Sequence, residues 1–148
     1  MVDQYLLQDA KQYWEARARL VSKLNTPAEV ETRQLFVRQK YIELLGGFPA
    51  RTPLHARITG TLVRNGYRIE KLIFESQPNL YVTADVYVPT SGSPPYPAVL
   101  GTAGHAASGK AYPPYQHAWI ALARRGFLVL AFDEMSLDER VQYWYPQL

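Results

Sequence analysis

A turn of small residues at positions 101–106 is the segment of this sequence best suited to chemistry. It reads Gly-Thr-Ala-Gly-His-Ala and follows the apolar run 98–101. In an open parallel sheet, ligands bind beyond the carboxyl ends of the strands, and small residues there allow backbone N–H groups to face a cleft. Such N–H groups form the oxyanion hole of acyl-transfer enzymes. We therefore take Gly104, His105 and Ala106 as candidate backbone donors, with a tight turn that needs glycine only for its geometry as the alternative.

The same turn partly matches a phosphate-binding loop. Residues 104–110 fit the leading positions of the P-loop pattern, between a predicted strand and a predicted helix. However, Ala111 stands where a hydroxyl group would bind Mg²⁺. Pro113 and Pro114 also remove amide donors where the helix should already be running. Nucleotide binding is therefore a less favoured alternative.

No serine in the sequence has the surroundings of a hydrolase nucleophile. α/β-Hydrolases place that serine in a Gly-x-Ser-x-Gly elbow between a strand and a helix. Ser108 comes nearest to the pattern, but Ala106 and Lys110 occupy its glycine positions. The chain has no cysteine that could replace it. We therefore predict that no catalytic triad is present among these residues. The serines considered are Ser22, Ser76, Ser91, Ser93, Ser108 and Ser136.

A few histidines and acidic residues remain as candidate functional groups. His55 and His117 show no metal-ligand spacing and are expected at the surface, so no metal site is predicted. Asp133 follows an apolar run and is either a catalytic acid or, more often at such a position, the cap of a turn. Glu139 and Arg140 are either an ion pair on the floor of a cleft or solvated charges.

Length and composition indicate a globular protein without membrane segments. The chain has 148 residues, a length that is enough for one domain with a core and too short for two ordinary domains. Of these residues, 47% are hydrophobic and 20% are charged, as is usual in globular proteins. Its net charge of +3 comes from basic residues interleaved with acids, so no nucleic-acid interface is expected. No signal peptide and no apolar run of about 20 residues is present. We expect a soluble protein, cytoplasmic by default.

Two helices are predicted before the first strand. Apolar residues at three- and four-residue steps indicate a helix over residues 4–24. Thr26, Pro27 and Glu29 form the N-terminal capping signal of a second helix, and Gly46-Gly47 provides its left-handed exit. The apolar stripe of this second helix consists of Val30, Val37, Tyr41 and Leu44. Residues 1–47 are thus predicted as an N-terminal helical segment.

The remaining residues, 48–148, predict an α/β fold. Strand-like runs joined by turn signals such as Asn65-Gly66 indicate an antiparallel lead-in, at 56–63, 67–74 and 81–88. Uninterrupted apolar runs typical of parallel strands covered on both faces follow at 98–101 and 127–132. Between them, Tyr115, Trp119 and Leu122 form the stripe of a helix. We therefore predict one right-handed βαβ crossover.

Several short motifs occur in an order that carries a family resemblance. They are Thr52-Pro53-Leu54, residues 66–76 and 81–89, Gly104-His105, Gly109-Lys110, Tyr115-Gln116, residues 123–127 and Asp138-Glu139-Arg140. Together they lie within roughly residues 30–143 and resemble bacterial acetyl xylan esterase-like proteins of the α/β-hydrolase superfamily, near the dienelactone-hydrolase-like esterases. The resemblance implies that residues 48–148 form the first half of an α/β-hydrolase domain, strands 1 to 4.

The resemblance also implies a function. It suggests a carboxylic-ester hydrolase that acts through an acyl-serine, without a cofactor, on acetylated or otherwise esterified carbohydrate. His105 carries over as the oxyanion donor, and Lys110, Tyr115, Glu139 and Arg140 as candidate cleft or substrate residues. Because the triad would lie beyond Leu148, we expect an N-terminal portion of an esterase that is inactive alone. A non-catalytic binding or assembly module derived from a hydrolase is the alternative.

Two departures from the family pattern have structural consequences. The family's turn after the fourth strand commonly reads Gly-x-Gly-Glu-Arg, whereas residues 136–140 read Ser-Leu-Asp-Glu-Arg, so side chains there could narrow the cleft. In the family's strand order, the strand at 98–101 also pairs with a fifth strand that is not found in this sequence. An apolar strand with an exposed edge invites pairing with another chain, so we expect self-association at this edge.

Overall fold

The computed structural model describes residues 2–141, in two compact units. Of the described residues, 2–50 belong to the first unit and 51–141 to the second. The sequence places this boundary after residue 47. The end of the predicted second domain, residues 142–148, lies outside the described residues. In the described part of the chain, no helix combines the length and the apolar character needed to cross a bilayer.

The first unit contains two helices, α1 (Val2–Val21) and α2 (Pro27–Leu44). α2 begins at the predicted capping box, in which Thr26 Oγ1 accepts from the Glu29 N–H at 3.3 Å and the Glu29 carboxylate accepts from the Thr26 N–H at 3.0 Å. Such reciprocal bonds satisfy backbone donors that a helix start leaves unpaired. Beyond α2, Gly46 has a φ of 77°, which glycine adopts without strain.

The second unit is built on a five-stranded mixed sheet in the order β1-β2-β3-β5-β4. The strands are β1 (Arg57–Arg64), β2 (Tyr67–Gln77), β3 (Leu80–Pro89), β4 (Ala98–Thr102) and β5 (Leu128–Phe132). All neighbours are antiparallel except β4 and β5, which are parallel and are connected by helix α3 (Pro113–Arg124). The predicted α/β class, with an antiparallel lead-in, one βαβ crossover and two N-terminal helices, is confirmed.

The core of the second unit lies between the sheet and α3. Trp119 from α3 packs against Tyr87 of β3 with a centroid distance of 6.0 Å, and Tyr87 stacks on Tyr67 of β2 at 6.3 Å. Gly101 of β4 lies directly beneath Trp119, where a Cβ atom would come within 2.7 Å of the indole nitrogen. The glycine therefore allows β4 to approach α3 closely. The candidate turn at residues 101–106 begins at this close contact.

Among residues 2–141, β4 pairs with β5 alone and is an edge strand with one open edge. In its register with β5, Val99 and Gly101 share the face that carries α3, and Ala98, Leu100 and Thr102 point to the opposite face. Leu100 is 64% exposed. No charged residue occurs in the sequence between positions 90 and 104. The strand therefore lacks the charges and bulges with which natural proteins protect sheet edges.

Candidate functional site

Lys110 is a buried lysine held by carboxylates. Its Nζ lies 2.5 Å from Asp133 Oδ2 and 2.7 Å from Glu139 Oε2, with Asp138 Oδ2 at 3.3 Å. Burial by itself lowers the pKa of Lys110, but the hydrogen bonds and charges of Asp133 and Glu139 outweigh burial and hold this pKa above its usual range. The ammonium group is therefore charged at neutral pH and engaged inside the protein. We call these four residues the Lys110 cluster.

Asp133 is the anchor of the Lys110 cluster. It follows β5 directly and is completely buried. Its Oδ1 accepts from the backbone N–H of Lys110 at 2.9 Å, and its Oδ2 accepts from the Thr83 hydroxyl at 2.7 Å. Arg140 Nη1 donates to the Asp133 carbonyl at 2.6 Å. Asp133 thus ties the loops after β4 and β5 to β3, and its buried, saturated carboxylate is not placed to act as a catalytic acid.

The backbone near the Lys110 cluster is left-handed at several positions. Gly109 has a φ of 45°, and a Cβ there would collide with the Asp133 carboxylate. Ser136 and Asp138 have φ values of 66° and 46°, although neither is glycine. These are the two positions at which the family pattern has glycine. Since a left-handed residue with a side chain costs roughly 1–2 kcal/mol, the contacts of the cluster must hold this loop in place.

A cavity of about 390 Å³ lies at the carboxyl ends of β4 and β5. Residues 103–105 line one side and residues 134–137 the other. Among residues 2–141, the backbone N–H of His105 donates no hydrogen bond. The cavity therefore lies where a ligand is expected in an open α/β sheet, and one of the residues that line it has a backbone N–H without an acceptor in the described part of the chain.

The three backbone donors predicted from the sequence are not equivalent. The Ala106 N–H donates to the Gly104 carbonyl at 2.8 Å and closes a tight turn. Ala106 also does not line the cavity. We therefore correct the prediction for Ala106, because its single N–H is already used. Gly104 and His105 remain predicted donors.

Tyr115, a predicted cleft residue, lies against the turn that carries His105. Its ring stacks on Trp119 with a centroid distance of 5.9 Å. Its hydroxyl group contacts Gly104 so closely that no Cβ would fit at that position. Gly104 is thus favoured by its packing against Tyr115, whereas its φ lies outside the left-handed region that favours glycine. Tyr115 supports the turn from α3, which makes it a positioning residue.

Among the described residues, the structure gives internal partners to the three other predicted cleft residues. Lys110 and Glu139 pair with each other, and Arg140 binds the Asp133 carbonyl, so the considered Glu139–Arg140 ion pair is not formed. The Lys110 ammonium points into the Lys110 cluster and not toward a position where a triphosphate would bind. This observation argues against the P-loop interpretation of residues 104–110.

Glu134 is a cavity residue that the sequence did not single out. It lines the same cavity as His105, and its Oε2 is buried without a hydrogen-bond partner in the described part of the chain. A buried carboxylate oxygen without a partner is costly, so Glu134 Oε2 is an unsatisfied acceptor on a residue that lines the cavity. The sequence signal that could have identified Glu134 is its position as an acidic residue two places after the apolar strand β5.

No described side chains form a metal site. Within residues 2–141, no group of three or more histidine, cysteine, aspartate or glutamate residues could hold a metal ion. His55 and His117 are exposed, and neither lines the cavity of His105.

A second cavity, of about 260 Å³, adjoins the Lys110 cluster. Asp85 of β3 and Lys71 of β2 line it together with Lys110 and Glu139. Burial raises the pKa of Asp85 above its usual value, and the charge of Glu139 adds to this effect, while Lys110 and Lys71 oppose it. The Asp85 carboxylate is therefore held in surroundings that favour its protonated form.

Asp85→Asn is expected to raise the free energy of unfolding at neutral pH. The folded protein binds the Asp85 proton more tightly than the unfolded chain does, so this group lowers stability as pH rises from its usual pKa through the raised one. Asparagine lacks this charge. The stability difference between variant and wild type should thus be present at about pH 7 and disappear near pH 3. Urea denaturation across this range measures it, and a pH-independent difference would contradict the assignment.

Two solved structures share the fold of this chain. One is a candidate acetyl xylan esterase from Bacteroides fragilis, 24% identical, with a TM-score of 0.62 over 80% of this chain. The other is a methylesterase, 23% identical, with a TM-score of 0.69 over 84% of this chain. The chain has an esterase-like α/β fold. The predicted resemblance to acetyl xylan esterase-like proteins is thereby confirmed at the level of the fold.

The chain spans about a third of the length of the two structures that it matches. It covers 34% of the acetyl xylan esterase candidate and 28% of the methylesterase. No protein-family model and no curated protein matches the sequence. The greater part of each matched structure therefore has no counterpart among these residues.

Proposed function

We propose that this chain forms the oxyanion-binding portion of a carboxylic-ester hydrolase that works through an acyl-serine on acetylated or otherwise esterified carbohydrate. Two observations carry the proposal: His105 lines the cavity at the ends of β4 and β5, and its backbone N–H donates no hydrogen bond within residues 2–141. The fold shared with an acetyl xylan esterase candidate and a methylesterase supports the reaction class.

The proposed role of His105 follows from the chemistry of ester hydrolysis. Attack of a serine oxygen on the ester carbonyl places a negative charge on the carbonyl oxygen. A fixed N–H at about 2.7–3.1 Å from that oxygen stabilises the charge without reorganisation. The Lys110 cluster and Tyr115 hold the two loops beside His105, so the donor is fixed before the substrate binds. The imidazole ring has no part in this step.

Glu134 supports a substrate with hydroxyl groups. Glu134 lines the same cavity, and its carboxylate is an acceptor to which a sugar hydroxyl can donate. A site that hydrogen-bonds a hydroxyl discriminates strongly against analogues without it, because the acceptor is then left unpaired. The carbohydrate part of the proposal rests on this residue.

The proposal assigns the nucleophile and its base to residues outside this sequence, since none of its serines lies in Gly-x-Ser-x-Gly. The test uses a fluorophosphonate probe on the complete gene product in which this sequence occurs and, in parallel, on residues 1–148 alone. We expect p-nitrophenyl acetate turnover by the complete product and a labelled serine outside residues 1–148. The 148-residue chain alone should show neither turnover nor label.

Other outcomes would favour different functions. A labelled serine within residues 1–148 would refute the division of labour proposed here. Absence of both turnover and label in the complete gene product would favour the non-catalytic binding or assembly module. Thermal stabilisation of the chain by ATP with Mg²⁺ would favour nucleotide binding instead.

The open edge of β4 supports a second proposal, that two copies of this chain associate there. The strand is apolar, uncharged and unpaired on one side among the described residues. Antiparallel pairing of two such edges would place Leu100 in an interface and satisfy the backbone groups of both strands.

Leu100→Lys is expected to weaken this association by at least about tenfold, because it places like charges opposite each other at the edge. Sedimentation velocity over a range of concentrations measures the effect. Val63→Lys is the matched control, since Val63 is 73% exposed on β1, the opposite edge of the sheet. A wild-type protein that stays monomeric at high concentration would contradict the proposal.

A further inference from the structure

The helices of the first unit bury none of their side chains. Neither α1 nor α2 contains a buried residue. The predicted apolar stripe of α2 is exposed, with Tyr41 at 61% and Leu44 at 86%. In proteins, most helical stability comes from packing of the apolar face and not from helix propensity. The stripe of α2 therefore has the character of a binding surface.

A groove runs along this stripe. Its floor is formed by Val30, Val37 and Tyr41 of α2, and its second wall by Val21 at the end of α1 and by Leu24. The groove encloses about 660 Å³. From Val30 to Tyr41 it extends over about three helical turns, or roughly 16 Å. These dimensions match one face of a short helix, which is about 10 Å across.

The rim of the groove is positively charged. Arg17, Arg33 and Arg38 line it, and no acidic side chain among the described residues does. None of the three arginines forms an ion pair within residues 2–141. The Arg33 guanidinium lies over the Phe36 ring, 5.1 Å from its centroid, which restricts its position before any partner binds. An apolar floor with three uncompensated cations is complementary to an apolar surface flanked by carboxylates.

We propose that this groove binds an acidic amphipathic helix of a partner polypeptide. The apolar anchors of that helix, spaced by three, four and seven residues, would cover Val30, Val37 and Tyr41. Its flanking carboxylates would pair with Arg17, Arg33 and Arg38. A second copy of this chain is a poorer occupant, because it would bring the same arginines to the rim. A flat lipid surface would not reach the floor between the two walls.

The proposal is tested with the full chain and two designed peptides. One is a fluorescein-labelled helical peptide of about four turns, with leucines along one face and glutamates beside them, and the other carries lysines in place of the glutamates. Fluorescence anisotropy should show binding of the glutamate peptide at least about tenfold tighter than that of the lysine peptide.

Two variants of α2 make the test specific. Arg38→Glu is expected to weaken binding of the glutamate peptide by about tenfold or more. Lys40→Glu makes the same charge change on the same helix, outside the groove, and should alter affinity by less than about threefold at moderate salt. Arg38 and Lys40 are both exposed, and Lys40→Glu also breaks the exposed Lys40–Glu43 pair, a loss of about 0.3–0.5 kcal/mol. Circular dichroism should therefore show similar helix content for the two variants.

Several outcomes would overturn the proposal. Equal binding of both peptides, or equal effects of Arg38→Glu and Lys40→Glu, would exclude a charge-selective groove. Binding of vesicles that contain phosphatidylserine, without binding of the glutamate peptide, would identify a lipid surface as the occupant. Self-association that Val37→Asp abolishes and Leu100→Lys does not would identify a second copy.

Discussion

If the proposed function holds, His105→Pro should lower the kcat of the complete gene product by about 10²–10³-fold, because proline removes the backbone N–H that we assign to the oxyanion. The loss should appear in kcat with little change in KM, since this hydrogen bond strengthens only when the carbonyl oxygen becomes charged. Steady-state hydrolysis of p-nitrophenyl acetate measures both parameters.

His105→Ala is the control for this variant. It removes the imidazole and keeps the N–H, so its kcat should stay within about threefold of wild type if the backbone is the functional group. Thermal unfolding of both variants checks that the turn next to Gly104 and Tyr115 is retained. A large kcat loss in His105→Ala would transfer the role to the side chain. Wild-type kcat in His105→Pro would exclude His105 as the donor.

Lys110→Met is expected to lower the free energy of unfolding of the second unit by about 3–5 kcal/mol. The change removes the cation from a buried site and leaves Asp133, which has no exposed surface, without its charged partner. Glu139 and Asp138 would also lose the contact that holds their loop. Urea denaturation, followed by the fluorescence of the buried Trp119, measures the loss.

Lys40→Met is the control for Lys110→Met, because it breaks a lysine–carboxylate pair of similar length at an exposed position. The Lys40–Glu43 pair is nearly as short, at 2.6 Å, but the Lys40 side chain is 55% exposed. Exposed pairs of this kind contribute about 0.3–0.5 kcal/mol, so this variant should unfold almost like wild type. Comparable losses in the two lysine variants would mean that the Lys110 cluster does not hold the loops of the candidate site.

Local signals in the sequence were sufficient to predict the elements of the fold. The capping box of Thr26 and Glu29, the Asn65-Gly66 turn and the apolar runs that became β4 and β5 each act within a few residues. The crossover followed from these runs because parallel strands need a connection of helix length. These elements were predictable because each is determined by interactions between residues that are close in the sequence.

The Lys110 cluster could not be predicted in this way. Lys110 binds Asp133 and Glu139, which are 23 and 29 residues further along the chain, and the pairing depends on the register of β4 with β5. In the sequence these residues look like surface charges or part of a phosphate loop. The turn at Ala106 shows a similar limit, because a run of small residues does not reveal which N–H group is used internally.

The order of the sheet has a consequence for the synthesis of this protein. β5 leaves the ribosome after the four other described strands, yet it lies between β3 and β4. Until residue 132 has emerged, one side of β3 and one side of the apolar β4 lack the partner that β5 provides. Nascent chains with unpaired apolar strands are prone to aggregation. Translation that pauses before this point would therefore expose the chain to misassembly, and cellular chaperones would have their greatest effect in this interval.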